Sequence, residues 1–307
     1  MKLFLLFLFE LISNGAAYKP VVLLHGILSG PEKMIALVEE IEKAHPKTKI
    51  YNFDKYDGWS SLENTWRQVI EFRNFLEVIG TKHPDGINVV GYSQGGLIAR
   101  AAIQTLPFHK IYTFISLSAP QAGQFGEILS ANFLHLVFPD LAANTAYELF
   151  YSKIGQHISI ANYWNDPLEQ DLYHKFSKFL PLINNEIQTY NSSQFKNTLL
   201  RLNKMILIGG PNDGVITPWE SSHFGYFNTT LNVIPLHKRP IYIEDAIGLK
   251  SLENNGKLIV VIKPFVHHLT WHTNRRVIQE KNSESELEIQ RKNLDNFWTL
   301  LQRLMTP

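Results

Sequence analysis

The sequence predicts an α/β protein with a mostly parallel sheet and helices on both of its faces. Short apolar runs alternate with amphipathic stretches over the first 120 residues, and strands that alternate with helices indicate a parallel sheet. The runs are continuously apolar, as at residues 20–24, which is typical of strands that are buried on both faces. Similar runs at residues 205–209 and 258–262 predict that the sheet resumes later in the chain.

The predicted elements follow one another in a regular order. Apolar runs bounded by turn residues predict strands at residues 20–24, 48–53, 87–91, 111–117, 205–209 and 258–262. Helical spacing of apolar residues, with proline and glycine as breakers, predicts helices at about 31–46, 62–76, 97–106 and 284–304.

The alternation stops between residues 121 and 204, a stretch too long for a loop inside a compact domain. We predict a helical insertion there, which forms a lid over the carboxyl edge of the sheet, and a core made of residues 18–120 and 205–307. Any single aromatic residue in the insertion is more often part of a core than of a ligand-binding wall. The insertion carries Phe133, Leu134, Val137, Phe138, Tyr163, Trp164, Phe176, Phe179 and Leu180.

The composition excludes several classes of protein. The 307 residues carry 29 Lys and Arg against 28 Asp and Glu, which gives a net charge of +1. Nucleic-acid binders usually show a basic excess, so no nucleic-acid partner is expected. The absence of cysteine excludes disulfides, a thiol nucleophile and cysteine-ligated zinc. A chain of this length can build a large core without such cross-links.

The first 17 residues resemble a secretory signal peptide, since Lys2 precedes seven apolar residues and small residues follow at 15–17. The alternative is a buried first strand. Two sequons, at Asn191 and Asn228, are candidate glycosylation sites and favour export. Later apolar runs are shorter than the ~20 residues that a spanning helix needs, so no stable membrane span is expected.

A five-residue motif follows the third predicted strand, where Gly91-Tyr92-Ser93-Gln94-Gly95 matches G-x-S-x-G. In the nucleophile elbow of α/β-hydrolases, a serine on a sharp strand-to-helix turn exposes its hydroxyl above the sheet. Glycines on both sides leave room for such a turn. The motif lies between a Val-rich strand and a helix, which is the context the elbow requires. Ser93 is therefore the candidate nucleophile, and the alternative is a glycine-rich tight turn.

A hydrolase of this fold places its acid and its base after later strands, in the chain order Ser, acid, His. Asp213 follows the strand at 205–209 and is the candidate acid. His267 and His268 follow the strand at 258–262, and the spacing alone leaves both open as the base.

Stabilisation of an oxyanion requires backbone N–H groups near the serine. The N–H of Gln94, directly after Ser93, is one candidate donor. The N–H of Ile27, in the loop after the first strand, is the other. We expect His25 in this loop to support the loop rather than to transfer protons.

No metal and no cofactor is expected. His268 and His272 are four residues apart, as in a zinc-binding pair, but Leu269 stands where the H-E-x-x-H pattern requires Glu. An apolar insertion over a serine site favours an acyl-chain groove. A lipase or carboxylesterase that uses the same triad on oxygen esters is one open alternative, and a non-catalytic lipid-binding protein is another.

The sequence resembles the palmitoyl-protein thioesterase family, and most closely its second, lysosomal branch of the acyl-CoA type. The resemblance extends from about residue 18 to the C-terminal helix. It is carried by residues 18–26, 91–97, 114–121, 162–164, 166–167, 207–211, 213–219, 224–225, 248–250, 268 and 271–272.

The resemblance implies a lysosomal or secreted enzyme that hydrolyses long-chain acyl thioesters, either fatty acyl-CoA or S-acylated peptides. It implies Ser93 as nucleophile, Asp213 as acid and His268, rather than His267, as base. It also implies the two backbone oxyanion donors named above. The relatives carry cysteines in the segment 150–161, whereas this chain has none, so we expect its insertion to be held by packing alone.

Overall fold

A computed structural model describes residues 18–126 and 145–272 of the chain. Within these ranges the strands and helices follow the predicted order. Three predictions lie outside the described residues: the signal peptide at 1–17, the aromatic and apolar residues between 133 and 138, and the C-terminal helix at 284–304.

A six-stranded sheet forms the centre of the protein, beside a two-stranded antiparallel ribbon. The sheet order is β2-β1-β3-β4-β5-β8, and each neighbouring pair is parallel, which confirms the predicted parallel sheet. The strands are β1 (Val21–Leu24), β2 (Ile50–Asn52), β3 (Ile87–Tyr92), β4 (Ile111–Leu117), β5 (Lys204–Gly209), the ribbon strands β6 (Tyr226–Phe227) and β7 (Val233–Ile234), and β8 (Leu258–Ile262).

Helices cover both faces of the sheet. Alternate residues of a strand point to opposite sides, so each strand contributes to the core on both faces. Val21 of β1 belongs to the core cluster that includes residues of α1 (Ile35–Ala44). Val22 belongs to the cluster on the other face, which includes residues of α2 (Thr65–Lys82) and α3 (Gln94–Gln104). This parallel sheet between two helical layers is the α/β-hydrolase fold, as the sequence predicts.

Some element boundaries differ from the predicted ones. Helix α3 begins at Gln94, three residues before the predicted start, because the chain already reverses at Ser93 with φ 54° and ψ −131°. Helix α2 continues beyond its predicted end to Lys82, shortly before Pro84. Strand β2 is limited to three residues.

Five short helices lie between β4 and β5 in the part of the chain that the structure describes. They are α4 (Ala146–Phe150), α5 (Ser159–Tyr163), α6 (Gln170–Phe176), α7 (Leu180–Ile183) and α8 (Ser192–Leu200). The last of them directly precedes β5 and contacts α3. The helical character agrees with the prediction for residues 121–204. Its role as a lid, and the division of the chain at 121 and 204, stay predictions.

Aromatic packing holds the segment 150–161, which we expect from the sequence to be held by packing alone. Phe150 and Ala161 are fully buried. The ring of Phe150 lies 5.2 Å from that of Trp164 in an edge-on arrangement, and Trp164 lies 5.5 Å from Phe125. Such pairs contribute ~0.5–1.5 kcal/mol each beyond the burial of their area. The side chains therefore supply the packing that a cysteine-free insertion requires.

Two further helices, α9 (Pro240–Ile243) and α10 (Leu249–Asn254), lie between β7 and β8. Among the helices of residues 18–126 and 145–272, none is both long and apolar enough to cross a membrane.

The carboxyl ends of β3, β4, β5 and β8 meet at one edge of the sheet, since these strands are consecutive neighbours. Ser93 follows β3, Ser118 follows β4, Asp213 lies beyond β5, and His268 lies beyond β8. Side chains far apart in the chain are thus brought to the same place.

Candidate active site

Ser93 lies at the turn between β3 and α3, with its backbone in the left-handed region. Glycines on both sides make this turn possible. A Cβ at Gly91 would lie 2.6 Å from the carbonyl oxygen of Gly95, and a Cβ at Gly95 would lie 2.2 Å from the carbonyl oxygen of His25. Any larger residue would force the strand, the helix and the loop after β1 apart, so the motif requires glycine at both positions.

The structure brings the three predicted triad residues into hydrogen-bonding distance. Nε2 of His268 lies 2.8 Å from Oγ of Ser93. Nδ1 of the same ring lies 3.0 Å from both carboxylate oxygens of Asp213. All three side chains are buried. When Nδ1–H donates to the carboxylate, Nε2 is free to accept the serine proton, which is the arrangement that a general base requires.

Two further contacts fix the orientation of the imidazole. The backbone N–H of His268 donates a 2.8 Å hydrogen bond to the carbonyl oxygen of Asp213. The hydroxyl of Tyr92 donates a 2.8 Å hydrogen bond to the carbonyl oxygen of His268. Burial, and to a smaller extent the charge of Asp213, raise the pKa of Tyr92. The phenol therefore stays protonated and remains a donor.

The carboxylate of Asp213 accepts hydrogen bonds from four groups besides the imidazole. Its Oδ1 accepts from the backbone N–H groups of Val215 at 3.1 Å and Ile216 at 2.9 Å. Its Oδ2 accepts from the indole Nε1 of Trp271 at 2.7 Å and from the hydroxyl of Ser118.

These donors determine the charge of the acid. Burial by itself raises the pKa of the Asp213 carboxyl. The charge of His268, together with hydrogen bonds from His268, Ser118 and the Ile216 N–H, outweighs burial and holds the pKa below its ordinary value of 3.8. The carboxylate therefore stays ionised in mildly acidic solution, where it can stabilise an imidazolium.

The other histidines near the site occupy different environments. His267 is exposed to solvent, whereas His268 is buried against Ser93. The turn that starts at His268 therefore distinguishes the two candidate bases, which the spacing in the sequence left open. The ring nitrogens of His25 lie 2.9 Å and 3.1 Å from the carbonyl oxygens of Gly26 and Lys55. His25 thus supports the loop after β1, as predicted.

Both predicted oxyanion donors lie beside the serine. The N–H of Gln94 is in the first residue of α3, and Ile27 lies in the loop that contacts the elbow. Across residues 18–126 and 145–272, neither N–H donates a hydrogen bond to a protein acceptor. Both groups also belong to residues that line the cavity at Ser93. They are placed where an oxyanion would need donors, and this role stays a prediction.

A cavity of about 450 Å³ opens at Ser93, within the ~300–1,000 Å³ range of small-molecule sites. Its lining is mainly apolar and comes from the loop after β1, the elbow, the insertion and the segments after β5 and β8. The lining residues are Ile27, Leu28, Ser29, Lys33, Tyr92, Ser93, Gln94, Pro120, Gln124, Ile160, Tyr163, Val215, Ile216, His268, Leu269 and His272.

Sequence reasoning missed several residues of this site. Ser118 and Trp271 were part of the matched segments but had no assigned role, because their contacts to Asp213 depend on how strands pair. Lys33 was not singled out, since a lone lysine in a helical pattern carries no signal. Tyr163, one aromatic residue of the insertion, lines the cavity, whereas its neighbour Trp164 is fully buried core.

Other predicted sites lie elsewhere. Asn191 immediately precedes α8, and Asn228 is in the turn between β6 and β7. Both residues are partly exposed, and their glycosylation stays a prediction. Among the described residues, no group of three or more His, Cys, Asp or Glu side chains could hold a metal ion.

Comparison with known proteins finds a family model and relatives that are named thioesterases. The family model of palmitoyl protein thioesterase matches residues 20–268. The chain is 63% identical over 269 residues to the lysosomal thioesterase PPT2 homolog of Drosophila melanogaster, covering 88% of this chain and 92% of that protein. It is 39% identical over 266 residues to lysosomal thioesterase PPT2 of Homo sapiens, covering 87% of each.

More distant proteins also match. Palmitoyl-protein thioesterase 3 of Dictyostelium discoideum is 35% identical over 262 residues, covering 83% of this chain and 87% of that protein. Among solved structures, the monoacylglycerol lipase of Paleococcus ferrophilus aligns with 92% of this chain and 96% of its own, at 15% identity and a TM-score of 0.45. With the family model spanning nearly all of the described residues, the chain belongs to the palmitoyl protein thioesterase family, in the branch of the relatives named PPT2, and is a hydrolase that acts on thioesters.

Proposed function

We propose that this chain is a lysosomal serine thioesterase that hydrolyses long-chain fatty acyl thioesters. The observation that carries the proposal is the 2.8 Å distance between Nε2 of His268 and Oγ of Ser93, on a ring whose Nδ1 faces Asp213. The family supplies the thioester class. The names of the relatives, lysosomal thioesterase and palmitoyl-protein thioesterase, support the compartment and the acyl group.

The first half of the reaction transfers the acyl group to the enzyme. Nε2 of His268 takes the hydroxyl proton of Ser93 while Oγ forms a bond to the thioester carbonyl carbon. The carbonyl oxygen becomes an oxyanion, and the N–H groups of Ile27 and Gln94 donate hydrogen bonds to it. The carbon–sulfur bond then breaks. The thiol leaves with the proton from His268, and the acyl group remains on Ser93 as an ester.

The second half releases the fatty acid. A water molecule gives a proton to His268 and attacks the ester carbon, and the same N–H groups hold the second oxyanion. Collapse of this intermediate breaks the bond to Oγ and returns the proton to Ser93. In both halves Asp213 stabilises the imidazolium, and its lowered pKa keeps it charged for this purpose in an acidic compartment.

The cavity favours a long acyl chain over a short one. Pro120, Ile160, Tyr163 and Ile216 give it an apolar lining on the side of the insertion. Each methylene group buried there contributes ~0.8 kcal/mol, so affinity rises with chain length until the cavity is filled. Fatty acyl-CoA is the substrate that we expect, with S-acylated peptides as a further class.

Replacement of the nucleophile tests the proposal. Ser93→Ala should lower kcat/KM for a palmitoyl thioester by about 10⁴-fold or more, since removal of a nucleophilic serine has effects of this order. Ser60→Ala, which removes an exposed hydroxyl that is not part of the cavity lining, is the matched control and should keep full activity. Full activity of Ser93→Ala would exclude the mechanism.

A comparison of substrates distinguishes the alternatives. The proposal predicts a higher kcat/KM for palmitoyl-CoA than for a palmitoyl oxygen ester of matched length. The reverse ratio would indicate a lipase or carboxylesterase. Binding of fatty acid without turnover of either ester would indicate a lipid-binding protein that keeps the fold.

A further inference from the structure

One side of the cavity carries polar side chains that the proposed chemistry does not use. Ser29 comes from the loop after β1, Lys33 from the 3₁₀ turn Pro31–Met34, and His272 from the segment after the catalytic histidine. All three line the same cavity as Ser93. We call these three residues the carrier side of the cavity, after the thiol-bearing part of the substrate, the carrier of the acyl group.

Polar atoms of the carrier side lack partners. His272 is only 4% exposed, yet its Nδ1 makes no hydrogen bond, and the same is true of the buried Oγ of Ser29. A buried polar atom without a partner costs ~1–3 kcal/mol. Neither atom is reachable by solvent in this structure, so a polar group of the substrate would supply the missing contact only after a local shift of the side chain.

The charge of the carrier side is positive. Lys33 is exposed, and the lysine ion pairs of the described residues are formed by Lys43, Lys55 and Lys196 instead. Burial, and then the charges of His268 and Lys33, lower the pKa of His272 to about 4. The field of the lysine thus reaches this ring. An anion bound between Lys33 and His272 would be attracted by the ammonium and would relieve its effect on the ring.

Other parts of the cavity lining have a different character. Pro120, Ile160 and Ile216 suit a hydrocarbon chain, as argued for the acyl group. A thioester held with its carbonyl carbon at Ser93 extends in two directions from that atom. With the acyl chain against these apolar residues, we expect the thiol carrier to extend toward Lys33.

We propose that Lys33, assisted by His272 and Ser29, forms a subsite for an anionic group of the thiol carrier. The inference rests on the proposed function and specifies the leaving group of the same reaction. The ligand chemistry is a phosphate or carboxylate linked to the thiol, as in acyl-CoA or in an S-acylated cysteine with a free carboxylate. A neutral thiol would leave the ammonium without a counter-charge.

Kinetics with one acyl chain on different carriers test this subsite. Octanoyl thioesters of CoA, of N-acetylcysteine and of neutral N-acetylcysteamine share the acyl chain and differ in the charge of the thiol. For Lys33→Gln we expect KM to rise by about 5-fold or more on an anionic carrier, with kcat nearly unchanged, because one charge contact is lost. KM for the neutral thioester should not change. Lys33→Arg should restore the wild-type KM for the anionic carrier.

Matched variants and salt complete the experiment. Lys43→Gln removes a lysine on α1 whose side chain is 70% exposed, and it should change none of the constants. Raising the ionic strength should increase KM of the wild type on the anionic carrier and should have less effect in Lys33→Gln. An effect confined to CoA identifies phosphate as the ligand, and one confined to N-acetylcysteine identifies carboxylate.

Two results overturn the subsite: an equal change of KM on anionic and neutral carriers, or no change on any of them. Both can occur while the wild type turns over every thioester and Ser93→Ala does not, so the proposed function would survive. Absence of wild-type turnover on all three thioesters and on palmitoyl-CoA would instead refute the proposed function.

Discussion

The indole Nε1 of Trp271 donates a 2.7 Å hydrogen bond to Oδ2 of Asp213. The same oxygen accepts a hydrogen bond from the hydroxyl of Ser118, whose backbone has a φ of 45°. The two donors come from the ends of different strands and surround the acid of the proposed triad. Neither donates directly to the substrate site, so their expected role is to hold the charge and the orientation of the carboxylate.

Removal of either donor should change the pH dependence of the reaction. Ser118→Ala or Trp271→Phe leaves the ionised carboxylate with fewer hydrogen bonds, so the pKa of Asp213 rises. A larger share of the acid is then neutral at low pH. We expect kcat/KM to fall by about 10-fold near pH 4.5 and by about 3-fold or less near pH 7. Profiles of kcat/KM between about pH 4 and 8 check this, and a loss that is equal at every pH would contradict it.

A second pH-dependent contact lies in the insertion. His174 of α6 lies 3.6 Å from Glu186. The interaction with Glu186 outweighs burial and raises the pKa of His174 above 6.5. Burial raises the pKa of Glu186, but contacts with His174 and with the nearby Arg239, Asn184 and Tyr173 outweigh burial and lower it below 4.5.

The signs of these shifts define an acidic window of stability. The raised pKa of His174 stabilises the fold below about pH 6.5, and this contribution is lost as the pH rises through the folded-state pKa. The lowered pKa of Glu186 stabilises the fold above about pH 4.5, and this contribution is lost as the pH falls through the folded-state pKa. Both contributions are present together between these values.

We therefore expect His174→Gln to lower Tm most between about pH 4.5 and 6.5 and least near pH 8. Thermal unfolding across this range measures the effect. His237→Gln removes a more exposed partner of Glu253 and is the control, for which a smaller change is expected. A Tm difference for His174→Gln that does not vary with pH would exclude the ion pair as its cause.

Alanine substitution of two helical glycines, Gly95 and Gly80, should change the free energy of unfolding in opposite directions. A Cβ at Gly95 would lie 2.2 Å from the carbonyl oxygen of His25, so Gly95→Ala should reduce the free energy of unfolding by about 3 kcal/mol. At Gly80 in α2, the nearest atom would be 3.4 Å away, on Lys110. Gly80→Ala should raise the free energy of unfolding by about 0.5–1 kcal/mol, because alanine favours a helix. Denaturant titration of both variants checks the two signs, and equal effects would contradict the steric explanation.

Arg100 is a fully buried cation whose hydrogen-bond partners are all uncharged. Its guanidinium donates to Oε1 of Gln121 at 2.6 Å, to Oδ1 of Asn184 at 2.8 Å and to Oε1 of Gln104 at 3.1 Å. Burial lowers its pKa to about 9. These bonds connect α3, which follows the nucleophile, to the loop after β4 and to the insertion.

Arg100→Met should reduce the free energy of unfolding by about 3 kcal/mol, since it leaves several buried acceptors without donors. Arg67→Met removes an exposed arginine paired with Glu63 and should cost less than about 1 kcal/mol. Urea unfolding measures both values. If the two variants cost the same, the buried network does not contribute as described.

Much of the site could be predicted because the fold brings the ends of parallel strands together. The elbow required glycine at 91 and 95, so its pattern is visible in the sequence. The position of Asp213 after a buried strand then follows from the strand order. Contacts between side chains carry no comparable pattern. Ser118 reaches Asp213 across 95 residues only because β4 and β5 are neighbours, and no spacing rule encodes this.

In the insertion, too, individual side-chain contacts could not be predicted from the sequence. Its aromatic residues predict burial but not which ring packs inside and which lines the cavity. Trp164 is enclosed by Phe150 and Phe125, whereas the adjacent Tyr163 faces the substrate site. That difference depends on the turn of α5, whose five residues are too few for a helical period to be read from the sequence.

The most direct measurement is mass mapping of the protein after reaction with a serine-reactive fluorophosphonate. A serine made nucleophilic by an adjacent imidazole reacts with such a reagent far faster than other hydroxyls. We expect one adduct, on Ser93, that forms in the wild type and is strongly slowed in His268→Ala. An adduct on another residue, or labelling of Ser93 at an unchanged rate in His268→Ala, would contradict it.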